Sequence, residues 1–446
     1  MTIRESSNQL YLILLSCIAA LGGLLFGFDT AVISGTIGYF KPEFNLSPAM
    51  VGWVVSSTLV GCLIGSTITG YLCDKYGRKP VLIISAIFFV ISSGLAIIVQ
   101  SASGLVILRF LGGIGIGIAS VGSPLYITEI APSAIRGRLT SLQQLAIVSG
   151  ILAAFYSNSL FSGSSLPDNE KWRFMIGVGV IPSLIFLFLL LLVPESPRWF
   201  VKREKIEKAR RILSQINGEK IAEKEIISIQ ESMTIEKGTL KELLKPCIRR
   251  ALIIGMALGF FSQVTGINAI MYYAPEIFKS AGIANSMAYS DTVWVGFINL
   301  FFTILAMILV DKLGRRPLLL IGFMVMSLSL VMISTAFYRN ISGIPILIGI
   351  LLFVASFSMS VGVVSWVVFS EIFPNKIRGR AVSLVTGIVW GVCFMVSQTF
   401  PILSENIGSS MLFLIYAFFC ALGFLFVLKM LPETKQKTLE EIEKSW

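Results

Sequence analysis

Asp74-Lys75-Tyr76-Gly77-Arg78-Lys79 follows one long apolar run, and Asp311-Lys312-Leu313-Gly314-Arg315-Arg316 follows another, 237 residues later. Two more pairs stand at nearly the same offset. Glu129-Ile130-Ala131-Pro132 with Arg136-Gly137-Arg138 is matched by Glu371-Ile372-Phe373-Pro374 with Arg378-Gly379-Arg380. Pro194-Glu195-Ser196 is matched by Pro432-Glu433-Thr434. Three motifs in one order at one offset make the chain two homologous halves. Duplicated membrane carriers place a substrate site between the repeats near mid-membrane and expose it alternately by rocking.

The sequence around these motifs is that of a membrane protein. Of 446 residues, 55% are hydrophobic and only 14% charged, against about 25% charged in a soluble domain. Mean hydropathy is +0.83. Apolar runs lie at 10–37, 49–73, 80–99, 102–128, 139–160, 174–193, 251–278, 291–310, 317–338, 343–370, 381–404 and 410–431. Each is long enough for the roughly 20 residues of a transmembrane helix. The first run lacks a strongly basic start and reads as a retained helix, not a signal peptide. The expected fold is all-α, with twelve transmembrane helices in two six-helix bundles. The bundles are expected at 1–195 and 250–431, with a linker at 196–249 and a tail at 432–446. Within the linker, Ile206, Ala209 and Ile212 fall at helical spacing among alternating charges, and 219–231 has a similar pattern. Both read as short amphipathic helices, as solvated linker or as a docking surface.

The net charge of +11 admits a nucleic-acid partner until its placement is read. Thirty of the 36 Lys and Arg fall in the N-terminus, alternate short loops, the central segment and the C-terminus. The opposite loops hold Lys41, Lys171, Arg173, Lys279 and Arg339, and Arg109 alone lies deep within a run. The positive-inside rule puts both termini in the cytoplasm. A multi-pass protein of the plasma membrane is expected, or of the inner membrane in a bacterium. The lipid bilayer is its partner and nucleic acid is not. With no histidine, catalytic triads and HExxH zinc sites are excluded. The six cysteines lack CxxC spacing. No metal, cofactor or enzymatic activity is expected.

The repeated motifs are charged and sit at helix ends, where carboxylates favour N-termini and cations C-termini. One reading is a cytoplasmic latch of Asp74, Arg78, Glu129, Arg136, Glu195, Asp311, Arg315, Glu371, Arg378 and Glu433. The other is that the arginines only set topology.

The chain resembles the sugar porters of the major facilitator superfamily over essentially its whole length. The resemblance rests on Gly22-Gly23-Leu24-Leu25-Phe26-Gly27-Phe28-Asp29, Pro124-Leu125-Tyr126, Pro194-Glu195-Ser196-Pro197-Arg198-Trp199 and Gly266-Ile267-Asn268 with Tyr272-Tyr273. The repeated motifs and the tail Pro432-Glu433-Thr434-Lys435 with Thr438-Leu439-Glu440-Glu441-Ile442 join them. It implies the major facilitator fold. It also implies sugar contacts at Phe26, Gln144, Gln263, Asn268, Asn299, Trp366 and Trp390, and an extracellular gate at Tyr272 and Tyr273. The chemistry agrees: a side-chain amide offers the donor and acceptor that a vicinal diol matches. Tryptophan adds an apolar face and one N–H. Amides in spans also bond neighbouring helices, so that reading stays open. Ser262, Val361-Gly362-Val363, Val389 and Cys393 depart from the family pattern, which implies fewer polar partners for the sugar.

Asp29 and Arg109 are charges placed inside spans, where ionisable residues are expensive and mark function. Counted at 1.5 Å per residue, Asp29 is about 12 Å and Arg109 about 10 Å from the outer helix ends, so the two can pair. In the family, an aspartate at this position resembles the proton symporters. A structural ion pair is the alternative. The expected function is proton-coupled monosaccharide symport of hexose or pentose type, by alternating access, with sugar and proton as partners. A passive sugar or polyol uniporter, such as one for inositol, is the alternative; a transporter-like sugar sensor comes next.

Overall fold

The computed structural model describes residues 3–132, 135–234, 246–374 and 377–435. The described residues are helical throughout, apart from turns and short connections. α1 (Ile3–Glu43), α2 (Pro48–Tyr76), α3 (Arg78–Ala96), α4 (Ala102–Ile130) and α5 (Arg136–Ser162) come first. A broken pair follows, α6 (Asp168–Gly177) and α7 (Val180–Leu192). The polar middle of the chain forms α8 (Pro197–Lys202), α9 (Ile206–Asn217) and α10 (Glu219–Thr234). The remainder is α11 (Pro246–Val264), α12 (Ile267–Ser280), α13 (Asn285–Leu313), α14 (Arg315–Tyr338), α15 (Ile344–Met359), α16 (Val361–Glu371) and α17 (Arg378–Met430).

Among the described residues, 11 helical segments are long and apolar enough to cross a membrane. The last, α17, has 53 residues. At 1.5 Å per residue that is roughly 80 Å, far more than the roughly 30 Å of hydrocarbon. It breaks at Gly408, whose φ of 79° and ψ of 154° are non-helical. Other spans break too. Gly266, at φ 86°, separates α11 from α12, and Ser360 separates α15 from α16. The Ser360 hydroxyl packs where a Cβ on Gly322 of α14 would stand, so the break is accommodated by a missing side chain. Interrupted helices expose unpaired main-chain groups inside the membrane, and carriers use them at substrate sites.

The chain divides into two compact units, and the division does not follow the repeat. The first comprises Met1–Asp29, Val60–Ile151 and Ile176–Glu236. Glycines let its helices touch: Gly27 and Gly150 bring α1 against α5, and Gly61 and Gly117 bring α2 against α4. Small residues serve this purpose in lipid, where burying apolar surface drives little association. Ser101 caps α4 by accepting from the Gly104 N–H at 3.1 Å. Ser196 caps α8 by accepting from the Trp199 N–H at 3.3 Å. In the linker, Leu213, Ala222 and Ile226 form a small core between α9 and α10, joined by Ile206 and Ile229. On α9 the buried stripe is Ala209, Leu213 and Ile216.

The second unit comprises Thr30–Leu59, Leu152–Met175 and Lys237–Trp446. It therefore contains the second repeat together with one end of α1, α2 and α5 and most of α6. Its interior is built by α14 on α15 and α17, and by α11 on α17.

Candidate functional site

The first charged cluster lies where α2 meets α3. Gly77, at φ 103°, turns the chain, and the Glu195 carboxylate lies where a Gly77 side chain would project. From there Glu195 accepts the main-chain N–H groups of Arg78 at 2.8 Å and Lys79 at 3.2 Å. Those are the orphan donors of the α3 N-terminus, and a carboxylate is the group that its dipole favours. The Arg78 guanidinium donates to Glu129 at 2.7 Å and to the Cys73 carbonyl at 2.9 Å. Ser196 donates to the other Glu129 oxygen. Asp74 pairs with Lys202 at 2.9 Å, and the Trp199 indole N–H donates to the Asp74 carbonyl at 3.2 Å. Burial pushes the Glu195 carboxyl above its usual range, outweighing the N–H bonds from Ser196, Arg78 and Lys79.

The second cluster repeats the main contacts of the first. Gly314, at φ 90°, turns α13 into α14. Glu433 accepts from the N–H groups of Arg315 at 3.1 Å and Arg316 at 3.0 Å. Arg315 forks onto Glu371 at 2.8 and 3.2 Å and donates to the Val310 carbonyl at 3.2 Å. Thr434 donates to Glu371 at 2.6 Å. Asp311 pairs with Arg315 at 3.0 Å. Burial again raises the carboxyl of Glu433, but the N–H groups of Lys435, Arg315, Arg316 and Thr434 together hold it below the usual range.

Arg136 and Arg378 have another task. The Arg136 Nε donates to the Ala131 carbonyl at 3.2 Å, and the Arg378 Nε donates to the Phe373 carbonyl at 3.2 Å. Each reaches back to a carbonyl five residues earlier.

Asp29 and Arg109 meet, as the depth count allowed. Arg109 Nη1 donates to the Asp29 carboxylate at 2.8 Å and to the Asp29 carbonyl at 3.3 Å. Both side chains are buried. In so dry a setting the pair is strong and its disruption expensive. Nε and Nη2 of Arg109 find no hydrogen-bond partner among the described residues. The guanidinium therefore retains two donor nitrogens beyond this contact.

The amides lie on both units. Phe26 and Gln144 are half-buried in the first. In the second, the Asn268 amide donates to Gln263 across the α11–α12 break, and Gln263 Nε2 reaches Ser262 Oγ at 3.1 Å. Ser262 thus supplies a polar contact at one of the positions departing from the family pattern. Val361, Val389 and Cys393 are buried, and Val389 with Val385 packs onto Gly259 of α11. Asn299 is buried on α13, Trp390 is half-buried, and Trp366 is 46% exposed with its edge to Phe369. Tyr272 and Tyr273 are both buried within the second unit. Tyr273 stacks on Phe400 at 4.8 Å and donates to the Ser397 carbonyl at 2.9 Å.

Sequence reasoning passed over several polar residues at the end of α1 and α2 remote from these clusters. Tyr289, Ser56 and Gln398 bond there, as described below. Glu43 accepts from the Trp172 indole at 2.6 Å and from Arg173 at 2.6 Å. Lys171 pairs with Asp168 and Lys279 with Glu276, each at 2.9 Å. Gln398 was visible as an amide within an apolar run, but it belongs to no repeated motif.

Comparison with known proteins accounts for this arrangement. The "Sugar (and other) transporter" family profile matches residues 15–446. The arabinose-proton symporter of Bacillus subtilis is 44% identical over 449 residues, covering 100% of this chain and 97% of that one. The D-xylose-proton symporter of Escherichia coli is 40% identical, covering 98% and 96%. The inward open structure of the E. coli xylose transporter XylE superposes with a TM-score of 0.88 at 38% identity, covering 98% of this chain and 100% of that one. XylE bound to 6-bromo-6-deoxy-D-glucose superposes at 0.80 with 39% identity and the same coverage. The chain belongs to the sugar transporter family of the major facilitator superfamily.

Proposed function

We propose that this protein is a proton-coupled monosaccharide symporter, taking an aldopentose or aldohexose by alternating access. The observation that carries the coupling is the buried Asp29–Arg109 pair. The names of the relatives, an arabinose-proton and a D-xylose-proton symporter, support the substrate class. Read as a symporter, the chain crosses the membrane twelve times, counting the two arms of α17 on either side of Gly408 separately. Its bundles are 1–195 and 250–431, joined by the 196–249 linker and followed by the 432–446 tail, with both termini in the cytoplasm of a plasma membrane.

The coupling follows from electrostatics. Burial disfavours a charged carboxylate, and a close guanidinium favours it. While Arg109 holds Asp29, the carboxylate stays ionised. When that contact loosens, protonation is the cheaper state. A proton taken on one side and released on the other needs only that the contact change with conformation. Gln144, Gln263, Asn268 and Asn299 supply amide donors and acceptors for sugar hydroxyls, and Phe26, Trp366 and Trp390 supply apolar faces. The two arginine–carboxylate clusters tie helix ends within each unit and serve as the cytoplasmic latch.

The test is uphill uptake of labelled pentoses and hexoses in vesicles under an imposed pH gradient. Asp29→Asn mimics the protonated carboxyl. It is expected to abolish gradient-driven accumulation while keeping exchange between equal sugar pools. Accumulation by Asp29→Asn under the gradient would leave the pair structural and the transport passive.

A further inference from the structure

The end of α1 beginning at Thr30 and the end of α2 finishing at Leu59 belong to the second unit. Neutral hydrogen bonds help attach them there, beside the Glu43–Arg173 ion pair on α1. Gln398 of α17 binds α2 twice: its Oε1 accepts from Ser56 Oγ at 2.7 Å, and its Nε2 donates to the Ala49 carbonyl at 3.0 Å. Gly52 lies against the main chain of Gln398, in a space that a Cβ would fill. Trp53 sets its edge on Phe394, with ring centroids 6.3 Å apart. On α1, the Tyr289 hydroxyl donates to the Gly35 carbonyl at 3.0 Å, and its ring stacks beside Tyr39. None of these residues belongs to the charged clusters or to the sugar-binding set.

We propose that Gln398 is the release point of an outer gate. Its amide, held by Ser56 and Ala49, keeps the outer ends of α2 and α17 together, and breaking those two bonds is part of reopening to the outside. The inference rests on the alternating-access reading above. Three features carry it. First, the bonds join segments far apart in the chain, Ser56 and Gln398, through side chains that no regular helix bonding requires. Second, the groups are neutral. A buried ion pair resists separation because each charge must be stabilised alone, whereas a neutral amide exchanges its partners for water at little net cost. A contact held by neutral bonds therefore opens at less cost than one held by a buried ion pair. Third, one side chain holds both contacts, so a single displacement of α17 from α2 releases both. Ser56 is fully buried while the contact is made, so opening exposes it. Gln398 acts through helix position, and so is a positioning residue.

The experiment uses the full chain in proteoliposomes, with the six cysteines replaced and Phe394→Cys added as a reporter. The probe is a membrane-impermeant maleimide applied from outside. Ser56→Ala removes one neutral bond and almost no volume, and outside labelling is expected to quicken about three- to ten-fold. Gln398→Leu removes both bonds and is expected to quicken it more. In both variants, the half-saturation concentration for external sugar falls while that for internal sugar rises, because the outward-open form gains population. A merely structural role moves both constants together. Labelling rates unchanged in both variants overturn the gate; if Gln398→Leu fails to fold, Ser56→Ala decides alone. A parent protein that moves no pentose or hexose removes the sugar reading, yet faster labelling in the variants still upholds the gate.

Discussion

The Arg78 and Arg315 clusters share every main contact, yet they differ in how far water reaches them. The Glu129 side chain is 4% exposed and its counterpart Glu371 is 26% exposed. Asp74 is 44% exposed and Asp311 is 79%. At the aspartates the difference has a visible source. In the first cluster the chain continues into α8, which lays Trp199 and Lys202 over Asp74. Repeated motifs thus share their main bonds but not their solvation. Hydrogen bonding is written into the repeat, whereas desolvation depends on what happens to cover it.

The comparison breaks most sharply at the arginines. Arg78→Leu leaves Glu129 buried with its charge uncompensated, and is expected to destabilise the protein by about 3–5 kcal/mol. Arg315→Leu leaves a carboxylate that retains water and Thr434, with an expected loss of about 1–3 kcal/mol. Denaturant unfolding in detergent measures both. Equal losses would mean that solvation does not separate the clusters.

A second contrast lies in pH dependence. Glu195 is held above its ordinary value of 4.5. The unfolded chain gives up that proton first, so this group's contribution to stability falls as pH rises from about 4.5 through the folded value. Glu433 is held below 4.5. Its contribution is present above the ordinary value and is lost as pH falls through the folded one. Glu195→Gln is therefore expected to remove a falling slope, and Glu433→Gln a rising one. Thermal unfolding from pH 3 to 8 in a defined detergent reads the sign. Slopes of one sign would remove the contrast.

The smallest effect is expected at the hydroxyls. Ser196→Ala and Thr434→Ala each delete one bond to a carboxylate, for about 1 kcal/mol. The serine change is expected to cost more, because Ser196 also caps α8. A larger loss at Thr434 would mean that the exposed cluster depends more on its hydroxyl than the buried one.

Much of this was legible in the chain. The span pattern, the helical linker and the Asp29–Arg109 pairing all follow from one-dimensional signals: hydropathy runs, spacing and a count of depth. Arg136 and Arg378 were less legible. Their spacing from Glu129 and Glu371 suggested ion pairs, but the nearest acceptors are the carbonyls of Ala131 and Phe373. Tyr272 and Tyr273 stand on one helix as expected, yet both are buried within the second unit.

The sequence by itself determined the class of molecule, its duplication, and the charged groups that must find partners, because a charge or a polar amide in lipid has few tolerable places to go. Tertiary structure alone decided which partner each took and how wet it stayed. Gln398 bonds to Ser56 and Ala49, some 340 positions away, and no local pattern encodes that meeting. The contacts at Glu195 and Glu433 repeat, but their ionisation differs in direction. A motif specifies donors and acceptors, whereas burial is set by every helix that packs around them.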